Sequence, residues 1–150
     1  MKIILIIFLG VVLAGFVYFF YLSYKSQTGS APGLVNSKLT PCSHKPNCIC
    51  TEYPDDTSHF TDAIKTNDLN IDNISKIIAS TGGVIITTEE SYIAATYTSS
   101  FFRYVDDLEI RIEPENQLIH IRSASRVGHS DMGINLKRIK NLRNILNIKN

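Results

Sequence analysis

Residues 107–122 read DLEIRIEPENQLIHIR, and this stretch decides the fold. Apolar and polar residues alternate on both sides of Glu113-Pro114-Glu115-Asn116, which is the pattern of a β-hairpin with one buried face. A turn at those four residues gathers the apolar side chains on one face and places two complementary charge pairs on the other, which supports this register. The predicted cross-strand pairs are Ile112 with Gln117, Ile110 with Ile119, Leu108 with Ile121, Glu109 with His120, and Asp107 with Arg122.

The sequence on either side of this hairpin predicts the rest of the domain. Isoleucines at 71, 74, 77 and 78 form a helical stripe that ends at Thr81-Gly82-Gly83, and a second periodic stretch runs from Gly133 to about Ile148. Runs rich in β-forming residues at 84–88, 92–99, 101–112 and 117–125 predict four strands. We therefore expect an α+β domain with a four-stranded antiparallel sheet and two helices packed on one face.

The N-terminus carries a long apolar segment. Twenty residues from Ile3 to Leu22 contain no charge, and as a helix they span about 30 Å, the thickness of a bilayer core. Bulky residues and aromatics fill the end of the run, where a cleaved signal would have small residues. The segment predicts an uncleaved transmembrane anchor over residues 1–24. The membrane is therefore a predicted partner of the protein through this helix.

The chain between anchor and domain divides into two parts. Residues 25–40 are rich in Ser, Gly, Pro and Asn without periodicity, which predicts a flexible linker. Residues 41–66 contain three prolines and all three cysteines, and we expect this irregular segment to lie along the domain rather than build it. The α+β domain then occupies residues 67–150.

The cysteines leave three interpretations open. Cys42, Cys48, Cys50 and His44 lie within nine residues, but a structural zinc site usually draws on a second, distant pair of ligands. A disulfide between Cys42 and Cys48 would close a short loop and would persist only in an oxidising compartment. Idle thiols are the third interpretation. The disulfide agrees with a cytoplasmic N-terminus and a C-terminal domain outside the cytoplasm, periplasmic in a Gram-negative bacterium.

A basic, hydroxyl-rich turn is the candidate site. Between residues 121 and 150 there are seven Lys or Arg and one acid, Asp131. Side chains from a strand end and from a helix start are predicted to converge there on a phosphate or carboxylate. Those ligand-binding candidates are Arg122, Ser123, Ser125, Arg126, Asn135 and Arg138. In the competing interpretation, acids neutralise the arginines in a structural ion-pair network. Its predicted members are Asp106, Asp107, Glu109, His120 and Arg122.

Several chemistries are not favoured by the sequence. A net charge of +1 and the lack of aromatic residues within the basic run argue against nucleic-acid binding. The run Gly128-His129-Ser130-Asp131-Met132-Gly133 has its second glycine one place too late for a nucleophile elbow, so Ser130 or Asp131 is expected to cap a helix. We therefore assign no catalytic residue, metal ligand or cofactor.

Three stretches resemble a family called domain of unknown function 1499, over about residues 39–147. They are Cys42 to Ile49 (CSHKPNCI), Phe101 to Glu109 (FFRYVDDLE), and Ile119 to Ile139 (IHIRSASRVGHSDMGINLKRI). Members of that family are often membrane-anchored or exported, and the resemblance implies the same for this chain. It implies no activity. Cys50 departs from it, because the family more usually has a small hydroxyl residue there.

The leading functional hypothesis is a single-pass envelope protein that binds an anionic small molecule, lipid headgroup or protein partner without catalysis. The first alternative is a hydrolase of an envelope substrate, with Asp106 or Asp107 and the hydroxyls of Ser123 and Ser125 at its centre. The second alternative is a structural scaffold whose polar cluster holds its own fold.

Overall fold

Residues 1–148, which the computed structural model of the chain describes, form three helices and eight strands in α+β order. Their bounds are α1 Lys2–Gln27, β1 Leu34–Val35, β2 Lys38–Leu39, β3 Cys48–Cys50, β4 Ile64–Lys65, α2 Ile71–Ser80, β5 Val84–Thr88, β6 Tyr92–Thr98, β7 Val105–Glu113, β8 Leu118–Ser125 and α3 Ile134–Ile148.

The main sheet is antiparallel and has six strands rather than the four predicted. Its order is β3-β8-β7-β6-β5, and β4 pairs with the beginning of β8 while β3 pairs with its end. The two additional strands come from residues 41–66, so the expectation that this segment only lies along the domain is wrong. Strands of three and two residues are too short to show the alternation by which strands are recognised in sequence.

The central hairpin forms between β7 and β8, two residues away from the predicted register. Ile110 lies opposite Ile121 and Ile112 opposite Ile119. The cause is the turn, because a 3-10 segment at Pro114–Asn116 is followed by Gln117 in the left-handed conformation, at φ 55°. The loop is therefore four residues long and begins after Glu113, one residue later than expected.

A shift of two residues keeps every side chain on its predicted face but changes its partner. Both predicted charge pairs are therefore wrong. Glu109 lies opposite Arg122 instead of His120, and Asp107 lies opposite Ala124 instead of Arg122.

One face of the sheet carries the main core, and both helices of the domain pack on it as predicted. The stripe of α2 buries Ile74, Ile77 and Ile78. The other core side chains come from α3 and from the central strands. They are Ile139, Leu142 and Leu146 of α3, and Ile93, Leu108, Ile110, Ile112, Ile119 and Ile121 of the sheet.

The second face of the sheet is covered by the segment that was predicted to be a linker. Leu39 is fully buried there against Cys50, Tyr92 and Ala94. The N–H of Leu39 donates to Glu52 at 3.2 Å, and the side chain of Glu109 accepts from the N–H of Gly33 at 2.8 Å. A segment held by one apolar side chain and a few hydrogen bonds has no periodicity, which is why composition alone predicted a tether.

The first helix is long and apolar enough to cross a membrane, with none of its apolar window buried in the protein. Its C-terminal part contacts the domain, from Phe19, which stacks on Phe102, to the last turn. Ser23 and Ser26 are buried, and the hydroxyl of Ser26 accepts from the N–H of Val105, the first residue of β7, at 3.2 Å. The end of α1 is thereby held against the end of the sheet at which β7 begins and β8 finishes.

Candidate functional site

The predicted polar cluster at the end of β8 is divided between the two faces of the sheet. Side chains alternate along a strand, so Ser123 and Ser125 face α3 while Arg122 and Arg126 face the segment that follows α1. The expectation that all six candidate residues converge on one ligand is therefore wrong.

On the helix side, the candidate residues bind one another. The hydroxyl of Ser123 donates to Oδ1 of Asn135 at 2.7 Å and accepts from Nη1 of Arg138 at 2.8 Å. Nη2 of Arg138 reaches Asp106 at 2.9 Å, and its guanidinium lies 4.3 Å from the ring centre of Tyr97. The charge of Arg138 is therefore balanced inside the protein.

The start of α3 is occupied by the protein's own carboxylate. Oδ2 of Asp131 accepts from the N–H of Asn135 at 2.7 Å, and its Oδ1 accepts from the N–H of Gly133 at 3.0 Å. Asp131 thus caps the helix as the sequence predicted, and it takes up the amides that an external anion would need.

On the second face, Arg122 pairs with a carboxylate that has no exposed surface. Nη1 of Arg122 lies 2.9 Å from Oε2 of Glu109. Oε1 of Glu109 accepts from the Tyr92 hydroxyl at 2.8 Å and from the N–H of Gly33 at 2.8 Å. Burial, together with the charge of Glu109, raises the pKa of Tyr92, so that hydroxyl stays protonated and keeps donating.

Arg126 joins α1 to the sheet. Its guanidinium makes a two-pronged contact with Asp107, with Nη2 at 2.7 Å and Nε at 2.9 and 3.0 Å. The remaining nitrogen, Nη1, donates to the carbonyl of Ser26 at 2.9 Å. The charge-assisted contact with Asp107 is among the stronger polar interactions in proteins, and it fixes the guanidinium that donates to the last turn of α1.

His120 belongs to a separate polar group at the other end of the sheet. Arg111 bridges Glu52 at 2.6 Å and Glu113 at 2.7 Å, and His120 Nε2 lies 3.3 Å from Glu113 but out of line for a hydrogen bond. Burial and the charge of Arg111 lower the pKa of His120. Asn116 and Arg111 hold the pKa of Glu113 at about 2.

A pocket of about 320 Å³ opens where α1 ends, beside Arg122 and Arg126. Three cationic side chains and one acidic one line it: Lys25, Arg122, Arg126 and Asp107. Lys25 is exposed and has no ion pair within residues 1–148. Nε of Arg122 is buried without a hydrogen-bond partner among the described residues. The lining of the pocket therefore carries a net positive charge.

Two hydroxyl groups among the described residues lie beside a histidine ring. The Thr51 hydroxyl lies 3.3 Å from Nδ1 of His120, but it is buried and accepts from the N–H of Ile121 at 2.9 Å. The Ser58 hydroxyl lies 3.0 Å from Nδ1 of His59. The same nitrogen faces Asp56 at 2.8 Å, and Nε2 faces the carbonyl of Lys45 at 3.1 Å. A catalytic triad needs the acid and the nucleophile on opposite ring nitrogens, so this group is a hydrogen-bonded turn.

The cysteines are divided between a bond and a free thiol. Cys42 and Cys48 form a disulfide, and Cys50 is free and buried in β3. Burial raises the pKa of the Cys50 thiol to about 11, which keeps it protonated and a poor nucleophile. Within the described part of the chain, no three His, Cys, Asp or Glu side chains are grouped to hold a metal ion.

Sequence reasoning missed three residues that matter to these sites. Lys25 lies outside the basic turn predicted as the site, although its position just after the apolar run is visible in the sequence. Glu52 is buried and accepts from Arg111, and the side chain of Asn47 donates to the carbonyl of Gly128 at 3.2 Å. Glu52 stands in no recognisable pattern, and Asn47 falls in the first stretch of the family resemblance, which gives it no role. Both act across long separations in the chain.

Comparison with known proteins gives one family. A family described as "Protein of unknown function (DUF1499)" matches residues 38–146, which include the second face, the disulfide and almost all of α3. No curated protein and no solved structure matches the chain. The match covers well over half of the 150 residues and agrees with the resemblance seen in the sequence, so the chain belongs to the DUF1499 family of proteins of unknown function.

Proposed function

We propose that the protein is a single-pass membrane protein that binds the phosphate group of an anionic lipid headgroup and carries out no catalysis. The observation that carries this proposal is the pocket between the end of α1 and the sheet, lined by Lys25, Arg122 and Arg126. The binding site is narrower than the cluster predicted from the sequence, because Ser123, Asn135 and Arg138 are satisfied by one another.

The charges and donors of the pocket favour a phosphate. Arginine donors in a fixed plane suit phosphate oxygens, and a lysine at the rim adds a mobile positive charge. Asp107 and Glu109 balance Arg126 and Arg122, which leaves Lys25 as the uncompensated cation.

The position of the pocket favours a lipid as the source of that phosphate. Lys25 follows Leu22, the last residue of the apolar run, by three residues, or about 4.5 Å along a helix. Phosphate groups lie just outside the hydrocarbon core, at the depth where lysines after an apolar helix end. The pocket would therefore lie at the same depth in the membrane as the phosphate groups of the lipids.

The proposal includes an orientation. We place the N-terminus in the cytoplasm and the domain outside it, in the periplasm for a Gram-negative bacterium. The Cys42–Cys48 disulfide supports this placement, because disulfides persist in oxidising compartments and are rare in the cytosol.

The test is ligand binding by the full chain in detergent micelles. The probes are short-chain phosphatidylglycerol, short-chain phosphatidylcholine and inorganic phosphate. Binding of each is measured as the rise in the thermal unfolding temperature of the protein. We expect phosphatidylglycerol to stabilise the protein most. Lys25→Gln should weaken that binding about tenfold, which corresponds to the loss of one charge-assisted contact. Lys65→Gln removes an exposed lysine of β4, far from the pocket, and should leave binding unchanged.

The three probes also separate the possible outcomes. Equal stabilisation by inorganic phosphate would assign the pocket to a soluble phosphate compound instead of a lipid. If no probe stabilises the chain, or if the two lysine variants behave alike, the headgroup proposal fails and the scaffold hypothesis takes its place.

A further inference from the structure

The loop between β6 and β7 lies along α1. Residues 99–104 leave the sheet at the end of the strands that contacts α1. The side chain of Gln27, the last residue of α1, donates to the carbonyl of Arg103 at 3.4 Å. The loop is closed at its base, because the N–H of Ser99 donates to the carbonyl of Tyr104 at 2.8 Å and the Ser99 hydroxyl accepts from the N–H of Tyr104 at 2.9 Å. It is a defined structure rather than a loose connection.

The loop reaches down the anchor to the apolar part of the helix. The ring of Phe102 stacks on Phe19 of α1 at 5.0 Å and on Tyr104 at 5.5 Å. Phe19 precedes Ser26, which is held at the edge of the sheet, by seven residues, or about 10 Å along the helix axis. Phe19 also lies inside the charge-free run, so Phe102 is at the depth of residues that would be surrounded by lipid.

The tip of the loop exposes a large apolar side chain. The rings of Phe101 and Phe102 make a T-shaped contact with their centroids 4.7 Å apart, and Phe101 is 81% exposed. Among the described residues beyond α1, it is the only strongly exposed phenylalanine or tyrosine. Arg103, the next residue but one, is also exposed and has a left-handed backbone at φ 59°. An exposed aromatic beside a cation is the composition of segments that lie at a membrane interface.

We propose that residues 99–104 form a second membrane contact, in which Phe101 inserts between lipids beside α1 and Arg103 lies among the headgroups. The inference rests on α1 crossing the membrane, as in the proposed function, but it does not depend on headgroup binding at Lys25. The proposed partner is the bilayer, because the loop contacts α1, the one element within residues 1–148 that is long and apolar enough to span it. With two contacts the domain would be held in one orientation on the membrane surface.

The chain contains no tryptophan, so single tryptophans can report depth directly. Phe101→Trp places the probe at the tip of the loop, where exposure makes the substitution tolerable. Phe20→Trp is the positive control, on the exposed side of α1 near Phe19, and Glu115→Trp is the negative control, in the turn at the opposite end of the sheet. The full chain is reconstituted in phosphatidylcholine vesicles that carry bromine either near the glycerol end or near the methyl end of the acyl chain.

We expect Phe101→Trp to lose emission in brominated vesicles, more strongly with bromine near the glycerol end, and to emit at shorter wavelength than Glu115→Trp. Glu115→Trp should lose none. If Phe20→Trp is quenched while Phe101→Trp behaves like Glu115→Trp, α1 is in the membrane and the loop contact is refuted. If Phe20→Trp is not quenched either, the anchor and the loop contact both fail.

Discussion

At the scale of single residues, Glu109 connects three distant parts of the chain. Its carboxylate has no exposed surface and accepts from Gly33 of the segment after α1, from Tyr92 of β6 and from Arg122 of β8. A buried carboxylate is tolerated only when its charge is compensated and its oxygens are satisfied. Glu109 therefore joins the covering segment, residues 28–40, to two strands of the sheet.

Removing the partner of Glu109 should destabilise the domain strongly. Arg122→Ala leaves a buried negative charge without its cation, which costs about 3–5 kcal/mol, whereas loss of an exposed pair costs about 0–1 kcal/mol. The measurement is chemical unfolding of the full chain in detergent. The double variant with Glu109→Gln removes both charges and should be less destabilised than the two single losses added together. A loss of under about 1 kcal/mol for Arg122→Ala would mean that the pair is effectively solvated.

His120 should make stability depend on pH. Its pKa in the folded chain lies below the ordinary value of 6.5, so the unfolded chain binds this proton more readily. Stability therefore rises with pH through the interval below 6.5 and is fully present above it. The groups that face His120 are Arg111, Glu52, Glu113 and Thr51.

Unfolding curves measured at intervals of pH test this expectation. His120→Gln should flatten the decline that begins at about pH 6.5, while His129→Gln, an exposed histidine of the turn before α3, should leave it in place. A second decline is expected from Glu113, whose pKa falls from 4.5 to about 2 on folding, so its contribution is lost as pH drops through that range. Identical profiles for the parent and His120→Gln would contradict the role given to His120.

At the scale of elements, the sequence predicted those with a repeating pattern and missed those without one. β5 at Val84–Thr88 is where the sequence placed it, and the isoleucine stripe of α2 packs on the sheet as expected. β7 begins at Val105 rather than Phe101, because residues 99–104 turn toward α1. The short strands β3 and β4 and the covering segment are defined by contacts with distant residues, and no local pattern records such contacts.

The register of the hairpin shows why the candidate site was only partly predicted. Alternation fixes which face a side chain occupies, so the polar residues of β7 and β8 were placed on the correct faces. The partner across the hairpin depends on where the turn begins, and the left-handed Gln117 moves the four-residue loop one place along the chain, which the sequence pattern did not reveal. The same alternation separates Ser123 from Arg122, which divides the predicted cluster in two.

At the scale of the whole molecule, α1, the segment at residues 28–40 and the sheet meet where β7 begins and β8 ends. Ser26 at the end of α1 accepts from Arg126 through its carbonyl and from Val105 through its hydroxyl. The next residues, Gly29 and Ser30, line the pocket with Lys25. The proposed headgroup site therefore requires that the covering segment, residues 28–40, packs on the sheet and does not move as a free tether.

Hydrogen exchange over residues 28–40 of the full chain in detergent micelles tests this packing most directly. The N–H groups of Gly33 and Leu39 donate to buried carboxylates, at 2.8 Å to Glu109 and at 3.2 Å to Glu52, and they should exchange slowly. The exposed turn at Glu115 and Asn116 serves as the fast-exchanging reference within the same molecule. Slow exchange at Gly33 and Leu39 is the predicted result. Exchange throughout residues 28–40 at the rate of that turn would show a free linker and would contradict the pocket at the end of α1.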